Sequence, residues 1–309
     1  MHIPDNYLSP STCAALGVVM LPVWKKAVTK VENEISKKKL PLLGICSAFS
    51  FLVMMFNVPI PGGSSGHAIG ATLIAILLGP YAAVISVTIA LIIQALFFGD
   101  GGILALGANT FNMAFIMPFT GYYIYKLIRG DSENEKRNYI AAFVGSYVGI
   151  NIGALFAAIE FGIQPILFKN SAGLAMYCPY SLQVTIPSML IPHLFVVGML
   201  EGVATAGVYM YIRKLSPDII YDRQLIEKKK LNMKPIYGLM AVIVLLCPLG
   251  LIAGGSAWGE WRAEELKSLV GYIPQGIQNG FKHNSIMANY GLSGMPANVG
   301  YLLSAIVGV

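Results

Sequence analysis

The chain has 309 residues, of which 56% are hydrophobic and only 12% are charged. A soluble domain has about 25% charged residues, so this composition excludes an ordinary soluble protein and indicates a membrane protein with several spans. The net charge of +6 does not indicate nucleic-acid binding, because 17 of the 21 lysines and arginines fall in three connections between apolar segments.

The chain begins with Met1-His2, and a histidine next to a free N-terminus makes a metal chelator. The α-amine, the amide nitrogen of His2 and its imidazole Nδ1 can close two fused rings on one ion, leaving one further position in the plane. This geometry favours nickel(II) or copper(II). The start has no basic n-region, and Ser9-Pro10 interrupts the approach to the first apolar segment, so we expect no cleaved signal peptide.

Eight apolar segments reach or approach the roughly 20 residues that a helix needs to cross a bilayer. They are predicted at 8–24, 41–58, 65–79, 81–98, 103–127, 139–160, 183–212 and 235–254. The third is short and rich in glycine. The predicted fold is an all-α membrane protein, in which a seven-helix transmembrane bundle contains an inserted N-terminal segment. At least one extra transmembrane helix follows at the C-terminus.

Basic residues cluster in three connections between these segments. The members are Lys25, Lys26, Lys30, Lys37, Lys38 and Lys39, then Lys126, Arg129, Lys136 and Arg137, then Arg213, Lys214, Arg223, Lys228, Lys229, Lys230 and Lys234. Alternating spans place all three connections on one side, and the excess of positive charge identifies that side as cytoplasmic. Met1 is therefore predicted to lie outside.

Histidine is scarce, and two of the four, His2 and His67, fall at the predicted outer face. A glycine-rich loop, 61–66, leads to His67 and allows a close approach of two backbones. The N-terminal peptide could thread inward there, so that His67 completes a four-nitrogen site. The alternative is an interfacial histidine that forms a hydrogen bond with a loop carbonyl.

Four polar residues on the same side could support such a site: Ser65, Asp100, Asn109 and Asn112. The two asparagines are three residues apart and share one helical face, where they could hold the N-terminal segment or orient His67. Asp100 could do likewise. Helix capping by the aspartate and interhelical hydrogen bonding by the asparagines remain the alternative.

Two ionisable residues, His193 and Glu201, fall inside the seventh predicted span, eight residues apart. Such groups are costly in a membrane and are candidates for function, but without a matching partner a structural role is favoured. No GxxxxGK[ST] motif occurs in the sequence, so any ATP-driven step would need a partner protein.

Three stretches together carry a family signature: MHIPDNYLSP at the start, PGGSSGHAIGATLIAILLGPYAA around His67, and FFGDGGILALGANTFNMAF after the fourth span. They resemble the CbiM/NikM family, the substrate-binding (S) component of energy-coupling-factor (ECF) transporters for cobalt and nickel. The resemblance covers residues 1–213 and implies metal ligation by the amine of Met1, the amide and imidazole of His2, and the imidazole of His67. Asn6 stands where the family has glycine, which alters a turn but removes no ligand.

Residues 233–309 look like the small companion subunit of that family, CbiN/NikN, fused to the end through a cytoplasmic basic linker, 214–232. One full span and an outer loop are predicted in this segment. The last dozen residues are too few to cross a bilayer, so the second span of the companion is incomplete.

The resemblance implies a transporter subunit of the prokaryotic inner membrane, not an enzyme, with no catalytic residues and no resident cofactor. Its implied partners are a transmembrane coupling (T) component and separate ATPase subunits. The transported ion is nickel(II) or cobalt(II). We favour nickel because a plane of four nitrogens that includes an amide suits it better. Since the ligands must lose protons, affinity should fall at acid pH.

Two hypotheses from other classes are weaker. An intramembrane enzyme would need a metal with an open or water-bearing position, whereas four nitrogens in one plane leave only weak axial sites. A stand-alone secondary transporter would need internal repeats and acidic residues deep in several spans, and Glu201 is nearly alone there.

Overall fold

The computed structural model describes residues 1–35, 39–61, 63–221 and 233–309. The prediction of an all-α membrane protein is confirmed, because the described elements are helices apart from one short hairpin. Within the described residues, five helical segments are long and apolar enough to cross a membrane. They are Pro10–Glu34, Pro80–Phe98, Glu135–Leu167, Leu182–Leu215 and Lys234–Ile252.

Fourteen α-helices occur in the described residues, and several join end to end through short π- or 3-10 turns. They are α1 (Pro10–Glu34), α2 (Leu40–Met54), α3 (Ala71–Leu78), α4 (Pro80–Ile93), α5 (Leu106–Asn109), α6 (Met117–Arg129), α7 (Glu135–Gly162), α8 (Gln164–Leu167), α9 (Leu182–Pro192), α10 (Gly198–Leu215), α11 (Lys234–Leu246), α12 (Ala263–Val270), α13 (Gln275–Asn279) and α14 (Ala297–Val307).

The third predicted span, 65–79, is wrong in its first half. A two-stranded antiparallel hairpin, β1 (Val58–Ile60) and β2 (Ser64–Gly66), occupies its start, with Pro59 opposite Ser65. The helix begins only after Gly70, whose φ of +73° is a left-handed conformation that glycine adopts without steric cost. His67 therefore lies in irregular backbone between the hairpin and a fully buried eight-residue helix.

In the part of the chain that the structure describes, three π-helical turns interrupt the long helices, at Gln94–Phe98, Thr110–Ile116 and His193–Val197. The first leads into the loop that holds Asp100, and the second directly follows Asn109. Insertions of this kind occur frequently at functional sites, where they redirect side chains.

One end of the bundle carries the basic connections. Residues that flank these connections contact one another there. Tyr221 donates a 2.7 Å hydrogen bond to Glu34, and the Arg213 guanidinium lies 3.1 Å from the Glu133 carboxylate. We call this the basic end, and the opposite end, which carries His2 and His67, the site end. Lys37, Lys38 and most of the predicted linker 214–232, from 222 onward, lie outside the described residues.

The C-terminal segment, 233–309, packs against the first part of the chain. The hydroxyl of Tyr301 donates a 2.5 Å hydrogen bond to the carbonyl of Met55, and the thiol of Cys247 lies 3.6 Å from the Met55 sulfur. The last helix, α14, has 11 residues. Residues between α11 and α14 lie over the site end, where they meet the N-terminal segment.

Helices α6 and α7 approach so closely that glycine is required between them. A Cβ on Gly145 would lie 2.6 Å from the carbonyl oxygen of Gly121, and one on Gly149 would lie 2.7 Å from that of Met117. Small residues of this kind let membrane helices pack backbone to backbone.

Replacing Gly145 by alanine is therefore expected to destabilise the bundle by about 1–3 kcal/mol, because a backbone carbonyl cannot move aside and the helices must separate. Thermal unfolding in detergent measures the effect. Gly207→Ala is the matched control, since a Cβ on Gly207 in α10 meets nothing within 4 Å. Equal unfolding temperatures for the two variants would contradict this account of the packing.

Candidate metal centre

The N-terminal segment is buried in the site end of the bundle. Met1 is 5% exposed, His2 1% and Ile3 0%. The loop beneath it requires glycine at position 102, because a Cβ there would lie 2.6 Å from the backbone nitrogen of Asp5. The Gly102 N–H donates a 2.9 Å hydrogen bond to the Ile3 carbonyl. Close backbone approach thus holds the first residues inside the protein.

Asn109 holds the inserted segment through both of its amide atoms. Its Oδ1 accepts a 2.8 Å hydrogen bond from the Ile3 N–H, and its Nδ2 donates to the Ile3 carbonyl at 3.0 Å. The N-terminal segment also supplies a side chain to the loop: the Asp5 carboxylate accepts hydrogen bonds from the N–H groups of Ile103 and Leu104 at 3.1 and 2.7 Å. The backbone polar groups of Ile3 are therefore satisfied without regular secondary structure.

Asn6 occupies a left-handed turn at φ +70°. Asparagine tolerates that conformation better than most residues, and its side chain forms two hydrogen bonds with the backbone of Phe281, at 2.8 and 2.9 Å. The residue that stands in place of glycine therefore ties the turn to the C-terminal segment.

His2 and His67 lie side by side, with ring centroids 5.1 Å apart. Nδ1 of His67 lies 3.0 Å from the Ala68 carbonyl, which can only accept, so Nδ1 carries the hydrogen and Nε2 keeps the free lone pair. Burial, with help from the nearby His2 and N-terminal charges, lowers the pKa of His67 to about 3. The ring is therefore neutral at ordinary pH, as a metal ligand must be.

The His2 imidazole points its Nδ1 at Asp100, 2.6 Å from Oδ1, while its buried Nε2 has no hydrogen-bond partner among the described residues. The sequence predicts Nδ1 as a chelating atom. In this ring orientation Nδ1 donates to the carboxylate, so chelation through it requires the imidazole to leave Asp100.

Asp100 links His2 to the C-terminal segment. The hydroxyl of Tyr290 donates to its Oδ2, and the amide of Gln94 lies 3.4 Å away. Burial alone would raise the pKa of Asp100, but the His2 charge and the hydrogen bonds from His2 and Tyr290 outweigh it and hold the pKa well below its ordinary value. Asp100 is therefore a carboxylate that fixes the His2 ring.

Tyr290 reaches Asp100 from a strained backbone. It and Asn289 both have positive φ, +59° and +54°, which costs about 1–3 kcal/mol per residue outside glycine. The Tyr290 ring stacks on Phe98 with centroids 4.9 Å apart. Packing and the bond to Asp100 together stabilise this conformation.

A second carboxylate, Glu260, lies 3.5 Å from the amine of Met1. It belongs to the C-terminal segment, between Trp258 and Trp261. Burial raises its pKa above the ordinary value, against the opposing effect of the amine. The sequence patterns predict no role for Glu260 or Tyr290. For Glu260, the sequence does contain one indication of a functional site, an acidic residue flanked by tryptophans in a predicted outer segment.

The remaining predicted residues differ in position. Ser65 borders the same cavity as His67, whereas Asn112 donates a 2.8 Å hydrogen bond to Glu160 on α7 and does not reach either histidine. Among the described residues, no three His, Cys, Asp or Glu side chains form a group suited to a metal ion. A metal at this site would need main-chain nitrogen atoms as well.

A cavity of about 430 Å³ opens between the two parts of the chain at the site end. The first part contributes Ser65, His67 and Asp100 to its wall, and the C-terminal segment contributes Glu260 and Tyr290. His67 and the carboxylates that hold the first two residues therefore line one shared space.

Fold and site together define an all-α membrane protein whose own N-terminus is buried beside two histidines. Residues 2–219 match the family model described as the cobalt uptake substrate-specific transmembrane region, CbiM, and residues 233–309 match the PDGLE domain. The chain therefore belongs to the CbiM family and carries a C-terminal PDGLE domain.

The similarity to known proteins extends over the whole chain. The chain is 46% identical to the "probable fused nickel transport protein LarMN" of Lactiplantibacillus plantarum and 41% identical to the "fused nickel transport protein NikMN" of Rhodobacter capsulatus, covering 100% of this chain and 94% of each relative. A crystal structure of a truncated transition metal transporter is 55% identical, with a TM-score of 0.66 over 70% of this chain and 99% of that one.

Replacing Asn109 by alanine should release the N-terminal segment, because buried hydrogen-bonding groups left without a partner cost about 1–3 kcal/mol each. We expect an amine-reactive reagent to label the Met1 amine about tenfold faster or more, since about 1.4 kcal/mol corresponds to a factor of ten. Mass spectrometry of the N-terminal peptide measures the rate.

Asn138→Ala is the matched control for this experiment. Asn138 is also buried and also forms two hydrogen bonds with backbone, donating to the carbonyls of Ser132 and Asn134, but at the basic end. Equal labelling rates for both variants would contradict the role of Asn109.

Proposed function

We propose that this protein is the substrate-specificity component of an ATP-driven importer of the energy-coupling-factor type, and that it binds nickel(II) from outside the cell. The observation that carries the proposal is the burial of the chain's own amine and of His2 beside His67, with the two rings 5.1 Å apart. The names of the relatives, which refer to nickel transport, support the same function.

Four nitrogen atoms would hold the ion: the amine of Met1, the amide nitrogen and Nδ1 of His2, and Nε2 of His67. Loading then replaces two contacts of the structure, the bond from His2 to Asp100 and the ion pair of the amine with Glu260. The amine and the amide lose protons as the metal binds, so binding releases protons and weakens in acid.

Nickel(II) fits this set better than cobalt(II), because a planar arrangement built on a deprotonated amide suits nickel. In the general order of affinities copper(II) stands above nickel(II), so it binds such sites more tightly. Exclusion of copper in the cell would then depend on its availability rather than on this site.

The proposed orientation places the site end outside and the basic end in the cytoplasm of a prokaryotic cell, in the inner membrane. The contacts of Glu34 with Tyr221 and of Glu133 with Arg213 support it, because they gather the ends of the basic connections on one side. A transmembrane coupling subunit and two ATPase subunits would act from there to reshape the bundle and release the ion inward.

The C-terminal segment, 233–309, would form the outer wall of the site. Its Glu260 contacts the amine of Met1, its Tyr290 holds Asp100, and its Phe281 backbone holds Asn6. These three contacts hold a proposed ligand, the carboxylate that fixes the His2 ring and the turn that follows the ligands, so this segment would control access from the cavity.

Calorimetry on the purified protein tests the proposal. Nickel(II) is titrated into the protein with its native start, into a version with one extra residue before Met1, and into His67→Ala. We expect nickel binding, tighter than that of cobalt(II), only with the native start and His67, because the extra residue removes the amine from the chelate.

His283→Ala serves as the control, because this exposed histidine, whose Nε2 lies 2.9 Å from the Leu96 carbonyl, is not one of the proposed ligands. It should bind nickel like the native protein. Undiminished binding by the extended protein would place the ion elsewhere and overturn the proposed ligand set.

A further inference from the structure

The backbone that follows His67 is gripped by a buried carboxylate from a distant helix. Glu201, in α10, is 0% exposed and accepts hydrogen bonds from two consecutive main-chain groups, the N–H of Ile69 at 2.7 Å and the N–H of Gly70 at 3.0 and 3.1 Å. A carboxylate inside a membrane bundle is costly, so the hydrogen bonds that Glu201 accepts must offset the free energy of burying it.

One peptide group joins this carboxylate to His67. The N–H of Ile69 and the carbonyl of Ala68 belong to the same peptide unit; the N–H donates to Glu201, and the carbonyl lies 3.0 Å from Nδ1 of His67. A hydrogen bond to a charged acceptor is about twice as strong as a neutral one, and bonds in such a chain polarise one another. Glu201 therefore strengthens the carbonyl that receives the His67 hydrogen.

We infer that Glu201 is the positioning residue that makes His67 a metal ligand. It fixes the loop His67–Gly70, holds the hydrogen of the imidazole on Nδ1, and so directs the lone pair of Nε2 toward the site. Outer partners of metal-ligating histidines act in this way, by setting the tautomer, the ring orientation and the basicity of the donor atom. The inference rests on the proposed function and assigns a role that neither the family match nor the relatives provide.

Among the described residues, the other side-chain hydrogen bond to this loop is weaker. The Ser50 hydroxyl donates to the Ile69 carbonyl at 2.9 Å, which is a neutral bond, and Gly70 has a left-handed φ of +73° with a Phe49 ring carbon 2.6 Å from the position of a Cβ. The carboxylate thus sets the register of a segment that has no regular secondary structure.

The same contact links the loop of His67 to helix α10, which runs from Gly198 to Leu215 and carries Arg213 and Lys214 in its last turn, at the basic end.

Glu201→Gln tests the inference, because glutamine keeps the size and offers only one accepting oxygen, without charge. Two readouts are measured on the full chain: the nickel(II) dissociation constant, and the ¹⁵N shifts of the His67 imidazole before metal is added, which report where the hydrogen resides. We expect affinity to fall by about 10- to 100-fold, the usual effect of removing such a partner, and the shifts to indicate a mixture of tautomers.

Tyr209→Phe is the matched control on the same helix. Tyr209 is buried and its hydroxyl takes part in hydrogen bonds with Tyr125 and Asn138, so the variant also loses buried hydrogen bonds of α10, but far from the loop. It should keep both native readouts. Glu201→Asp, which keeps the charge on a side chain one methylene shorter, should fall between Glu201→Gln and the native protein.

Native affinity and native shifts in Glu201→Gln would overturn the inference, and so would equal losses in Tyr209→Phe. If Glu201→Gln does not fold, the same comparison is made with Glu201→Asp. If the native protein binds no nickel, the proposed function fails, while the ¹⁵N shifts still decide whether Glu201 sets the His67 tautomer.

Discussion

The structure depends on the burial of a charged chain terminus. Chain ends are normally exposed and mobile unless something holds them, and a buried amine with its neighbouring peptide groups is costly without partners. Here Glu260 faces the amine, Asp100 faces the His2 ring, and Asn109 satisfies the backbone of Ile3. Each partner comes from a different element, so the inserted terminus requires the whole site end to be assembled around it.

This constraint explains the irregular parts of an otherwise helical protein. The glycine at position 102 lets Asp5 approach the loop, and the strands Val58–Ile60 and Ser64–Gly66 place His67 outside any helix. The π-turns interrupt the regular helices beside Asp100 and Asn109. Regular helices would leave no space for a peptide and no side chains aimed at it. Strain and close contact at the site end are thus the cost of inserting the first residues.

Much of the fold follows from the sequence, because the lengths of apolar segments predict the membrane spans and the basic loops predict which side of the membrane each connection lies on. The prediction failed at the third span, where glycines at 66 and 70 favour a hairpin and a left-handed turn over helix, and hydropathy does not record backbone conformation. At the site, the start of the chain and the loop before His67 indicated which residues meet. Contacts of Glu260, Tyr290 and Glu201 depend on distant segments packing together, which no local pattern contains. Asn112, on the same helical face as Asn109, turns instead to Glu160.

The central claim is that the metal is held by nitrogen atoms at the start of the chain, and X-ray absorption at the nickel edge of the loaded protein tests it most directly. The account predicts four nitrogen donors in one plane and no carboxylate oxygen, with Asp100 and Glu260 displaced from their present partners. A first coordination shell that contains carboxylate oxygen, or one that is not planar, would contradict it.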